Sequence, residues 1–163
     1  MRRIVLTSST AIALTLAAVL AAPVSAGSSG VLAAGSFTLV FGHDSGSHRT
    51  FSFVVTEGPG GTVAGQAQWI LRGGEVVHIN INCFTRVGNQ AIVGGTGSTP
   101  DVNSAAWAIQ DNPDIIGFVA FTDDPDNPEN CDTLLPNDGF ATIGEELDAY
   151  GVPIVQGNVA MRP

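Results

Sequence analysis

The chain has 163 residues, six arginines and no lysine against fifteen acidic residues, and a formal charge of −9. With 44% hydrophobic and 13% charged residues it has the material for one hydrophobic core, which excludes a disordered polyanion. A lysine-free acidic surface lacks the clustered cations that phosphates require, which argues against nucleic acid and anionic lipid as partners.

The first element is an address. Arg2 and Arg3 precede an uncharged Ala/Leu-rich run over residues 4–22, Pro23 breaks it, and Val24-Ser25-Ala26 supplies the small −3 and −1 residues of a signal peptidase site. We expect a secretory signal over residues 1–26, cleaved between Ala26 and Gly27, and one β-domain over residues 27–163. The run is close to spanning length, but the cleavage site and the Gly-Ser-Ser-Gly after it weigh against a retained anchor. Stable membrane anchoring is not expected, and the expected location is extracellular.

The remaining chain reads as short strands parted by Gly-rich turns, with 20 glycines in all. Phe37, Leu39 and Phe41 alternate with Ser36, Thr38 and Val40. Phe51, Phe53 and Val55 alternate with Ser52, Val54 and Thr56. Val77, Ile79, Ile81 and Cys83 alternate with His78, Asn80, Asn82 and Phe84, which puts Cys83 on the apolar face. Further strands are expected over 66–71, 90–94, 104–110, 115–122 and 157–161. Seven or eight such strands fit an antiparallel meander that either forms a small barrel or stacks as a sandwich. Pro125, Pro128 and Pro136 predict an irregular loop over 123–139. Ile143, Leu147 and Tyr150 at i, i+4, i+7, followed by Gly151 and Pro153, predict a short helix over 142–150.

The segments Arg49-Thr50-Phe51-Ser52-Phe53, Gly65-Gln66-Ala67-Gln68 and Ile81-Asn82-Cys83-Phe84-Thr85-Arg86-Val87-Gly88-Asn89-Gln90-Ala91, with Gln110-Asp111-Asn112 and Gln156-Gly157-Asn158-Val159, resemble a group of small secreted proteins from high-GC Gram-positive bacteria. The resemblance implies a single exported β-domain and carries over no active-site residues. The stretch 123–151 is longer here than in that group's pattern.

Chemistry is sparse. Cys83 and Cys131 are the only two cysteines and lack Cys-x-x-Cys spacing, so a disulfide formed after export is the preferred reading. His43, Asp44 and His48 sit in a turn-like segment, spaced unlike a helical metal pair. Asp44-Ser45-Gly46 is similar over only three residues to a serine-protease nucleophile loop. His78, Asn80 and Asn82 form a polar ladder that faces solvent if Ile79 and Ile81 face the core. Trp69 and Trp107 are expected in the core. The acidic run Asp123, Asp124, Asp126, Glu129 and Asp132 lacks the glycine and distal glutamate of an EF-hand and is expected to be a solvated surface. No catalytic constellation, metal site or cofactor motif emerges. The expected role is a non-enzymatic extracellular domain that binds an unidentified ligand or protein. The alternative is a secreted hydrolase with a site near His43 or His78.

Overall fold

The computed structural model describes residues 30–40, 48–70, 74–99 and 101–162; the expected signal segment, its cleavage site at Ala26 and Gly27, and His43 and Asp44 lie outside them. Nine strands form one antiparallel sheet curled into a half-barrel: β1 (Gly30–Val40), β2 (His48–Glu57), β3 (Val63–Ile70), β4 (Val76–Val87), β5 (Gln90–Thr99), β6 (Val102–Gln110), β7 (Ile115–Thr122), β8 (Val152–Pro153) and β9 (Gln156–Met161). The strand order is β8-β7-β6-β5-β4-β3-β2-β1-β9. Helices α1 (Leu134–Asp138) and α2 (Ile143–Tyr150) lie between β7 and β8 in the chain.

The order itself explains the curl. β8 pairs with β7 at one edge and β9 pairs with β1 at the other, yet only Ile154 and Val155 separate them. Three Cα steps reach at most about 11 Å, so the two edges meet at that end. Side chains stitch the meeting point. Val159 N donates to Asp114 Oδ2 at 3.2 Å and Met161 N to Asp111 Oδ2 at 2.9 Å, so two carboxylates of the β6–β7 turn serve the outer edge of β9. The Arg86 guanidinium donates to the Arg162 carbonyl nearby. We expect Asp111→Ala and Asp114→Ala each to cost about 1–3 kcal/mol, because each leaves a half-buried N–H without its acceptor. Amide exchange at Val159 and Met161 should quicken in these variants; unchanged protection would contradict the role of the carboxylates.

The concave face is filled. Phe37, Phe51, Phe53, Val55, Trp69, Val77, Ile79, Trp107 and Ile109 are all buried in one cluster. Phe51 sits at its centre, edge-on to Trp107 at 5.1 Å and to Trp69 at 5.9 Å, and Trp69 stacks on Phe121 at 4.7 Å. Both tryptophans are therefore core residues, as the sequence predicts. A second cluster lies outside the sheet, where Leu134, Ile143 and Leu147 of the two helices cover Ile92, Ala106, Ala108 and Ala120. Residues 91–95 and 104–109 are consequently buried on both faces, which is why β5 and β6 read as apolar runs rather than alternating ones.

Three expectations need correction. The pairing of β4 with β5 slips between Ile81 and Cys83, where Ile81 faces Gly95 and Cys83 faces Gly94. This bulge reverses the alternation: Phe84 packs against the interior, while Cys83 turns outward over Gly94 instead of sharing the face of Ile79 and Ile81. The expected irregular loop 123–139 contains α1, with Pro136 in its first turn, where a helix needs no N–H from it. Among the described residues there are nine strands rather than seven or eight, the additional one being the two-residue β8, which carries no pattern of its own. The helix expected at the C-terminal side is α2. Thr142 is its N-cap, accepting from Glu145 N at 3.2 Å, and Glu145 returns the contact to Ala141 N at 2.8 Å.

Candidate binding face

Cys83 and Cys131 form a disulfide with Cα atoms 6.0 Å apart. It lies on the outer face. A Cβ on Gly94 would stand 2.7 Å from Cys83 Sγ and 3.3 Å from Cys131 N, so glycine is what lets the 123–133 segment press onto the sheet. That segment is built from its own side chains: Asp126 N donates to Asp124 Oδ1 at 2.9 Å, Asp132 N to Asn130 Oδ1 at 2.8 Å, and Asn137 Nδ2 to Glu129 Oε1 at 2.8 Å. Asp123, Asp124, Asp126 and Asp132 are exposed. Among the described residues no group of three or more His, Cys, Asp or Glu side chains is gathered as a metal would require. Burial raises the Asp138 carboxyl above its ordinary value.

His78, Asn80 and Asn82 are exposed on β4, while Val77, Ile79 and Ile81 are buried. The polar ladder points outward, and register extends it across the sheet. Residues directly opposite in neighbouring strands share a face. One row runs Asn158–Ser36–Ser52–Gln68–His78 across β9, β1, β2, β3 and β4. The row beside it runs Ala160–Ala34–Val54–Gln66–Asn80 and continues to Thr96 on β5. On the other side lies Gln156–Thr38–Thr50–Ile70–Val76. Five strands at the usual separation make this face roughly 20 Å wide.

Its composition is unlike the rest of the chain. The three rows hold hydroxyls, carboxamides and small apolar groups, with no carboxylate and no guanidinium; His78 is their single titratable side chain. Twelve of the fifteen acids fall at or beyond Asp101 in the sequence, in the β6–β7 turn, the acidic segment and the two helices among other places. A shallow cleft of about 500 Å³ opens on the face, lined by Ala34, Ser36, Ser52, Val54, Asn158 and Ala160 over Gly35 and Phe53. Hydroxyl and carboxamide groups both donate and accept, so this surface suits a partner carrying many neutral hydrogen-bonding groups.

Of the residues singled out from the sequence, the structure places the disulfide and the outward ladder. Gln68 stands opposite His78 on the neighbouring strand, and His43 lies outside the described residues. His48 begins β2. Sequence reading missed Ser36, Ser52, Gln66, Gln68 and Asn158 as site residues. The available signal was that each stands next to a buried residue of its strand and carries no charge. Comparison with known proteins finds no matching family model, no similar curated sequence and no similar solved structure.

Proposed function

We propose that the chain is a secreted, non-catalytic binding domain that lays a neutral, hydroxyl-rich chain, a glycan, across the outer face of β9, β1, β2, β3 and β4. The observation that carries the reading is the uncharged row Asn158–Ser36–Ser52–Gln68–His78, flanked by two further rows without a formal charge, on a protein of net −9. The filled interior supports an external site, since Phe51, Trp107 and their neighbours occupy the space inside the curl. Export rests on the N-terminal residues Arg2 to Ala26, and the disulfide supports an oxidising destination. No helix among the described residues is long and apolar enough to cross a membrane. Contact through hydroxyls and carboxamides gives little affinity per sugar, so retention comes from many repeats engaged at once.

The test is co-sedimentation with insoluble neutral polysaccharides, cellulose and chitin among them, beside a charged matrix as control. Retention on a neutral polymer should survive salt at about 1 M, because screening acts only on charges. Ser52→Glu and Gln68→Glu should each weaken it by about tenfold, or 1.4 kcal/mol. Retention abolished by salt, or indifferent to both substitutions, would overturn the reading.

A further inference from the structure

A second concavity lies away from this face, between the outer surface of β4 and β5 and the two helices. Its volume is about 250 Å³. Val87, Ile92, Cys131, Leu135, Ala141 and Ile143 supply its apolar wall. The space is somewhat below the usual range for drug-sized ligands, about 300–1,000 Å³, and suits one ring or a short branched chain.

One polar side chain in the lining has a fixed orientation. Gln110 Nε2 donates to the Pro113 carbonyl at 3.3 Å, and a carbonyl only accepts. Gln110 Oε1 is thereby left for Gln90, which donates to it from Nε2 at 2.8 Å. This chain assigns both amides without reference to which atom is nitrogen in each. The Gln90 amide lies against the first turn of α2, with Oε1 3.6 Å and Nε2 3.7 Å from where a Cβ on Gly144 would stand. Gln90 lines the pocket, and with Nε2 given to Gln110 its Oε1 is the acceptor it keeps for an occupant. The hydroxyl of Thr142, also in the lining, already accepts from Glu145 N. The exposed Glu145 in the first turn of α2 disfavours an anion at this end.

We propose that this pocket is a binding site for a small neutral apolar molecule bearing a hydroxyl, with the hydroxyl donating to Gln90 Oε1 and the apolar body resting on Ile92, Leu135 and Ile143. The proposal is independent of the glycan face, since the two sites share no residue. A phenol has the required shape and donor. A methylarene of the same size fills the wall but leaves the acceptor unmet, and a benzoate brings a charge toward Glu145.

The experiment is fluorine NMR titration of the full secreted chain with 4-fluorophenol, 4-fluorotoluene and 4-fluorobenzoate. The phenol should bind saturably, and each of the others about tenfold more weakly or worse. Gln90→Leu should bring the phenol down to the level of the toluene. Ala141→Leu, at an exposed position of the rim, should fill the space and weaken the phenol and the toluene alike. Should Gln90→Leu unfold, as a thermal melt would show, the comparison of the three probes and the Ala141→Leu titration decide the matter. No saturable phenol binding, equal binding of phenol and toluene, or phenol binding unchanged by Ala141→Leu would overturn the proposal.

Discussion

Cys131→Ser is expected to lose about 4 kcal/mol of folding free energy and to lower the melting temperature by roughly 10–15 °C. The bond joins residues 48 apart in sequence. In the chain-entropy view, closing a loop of that length removes much of the freedom of the unfolded chain. The folded state depends on the tie as well. Between Thr122 and Thr133 only Cys131 and two prolines are not polar, so this segment has little to bury without it. Two hydrogen bonds assist, Cys131 N to Cys83 Sγ at 3.0 Å and Glu129 N to Ser104 Oγ at 2.8 Å, and the buried Leu134 of α1 follows directly. Cys83→Ser should cost a similar amount rather than more, because the bulge in β4 sets that residue outside the core. Urea melts of both variants, with intact mass before and after reduction, provide the check. Two free thiols in the purified protein, or variants as stable as the wild type, would contradict the tether.

Trp107→Ala should cost about 3–5 kcal/mol, the range for removing a large buried aromatic. Trp107 is fully buried, edge-on to Phe51 at 5.1 Å and to Phe53 at 6.0 Å. Its indole N–H has no oxygen partner among the described residues, so the side chain holds its place through ring packing. A curl that kept room for a ligand would tolerate the truncation and gain a larger cavity. A curl packed solid loses the contacts outright. Chemical denaturation therefore separates the two, and a loss under about 1 kcal/mol would contradict a filled interior.

The strands were legible where one face alone is buried. In β2 and in β4 up to Ile81 the alternation of apolar and polar residues gives both the element and its inner face. In β5 and β6 it fails, because Ile92, Ala106 and Ala108 are covered by the helices while Ala91, Val93 and Trp107 fill the interior. The bulge at Cys83 shows in the pattern only through Phe84, an apolar residue in the series of His78, Asn80 and Asn82, and one residue does not tell a change of face from the end of a strand. The carboxylate stitches from Asp111 and Asp114 depend on contacts 50 and 45 residues away in sequence. No local rule gives such contacts. The binding face was half legible. His78, Asn80 and Asn82 stand out along one strand, but Asn158, Ser36, Ser52 and Gln68 join them only through a register spread over five strands. The disulfide was legible because two cysteines leave a single intramolecular pairing.

The reading of the outer face stands or falls on where a glycan touches the protein. Amide chemical-shift mapping with a soluble neutral oligosaccharide, drawn from whichever polymer retains the protein, locates that contact directly. The account predicts shifts concentrated on Ser36, Ser52, Gln68, His78 and Asn158, with the acidic segment 123–132 and the pocket beneath the helices unmoved. Shifts centred on either of those regions, with the row across β9 to β4 silent, would contradict it.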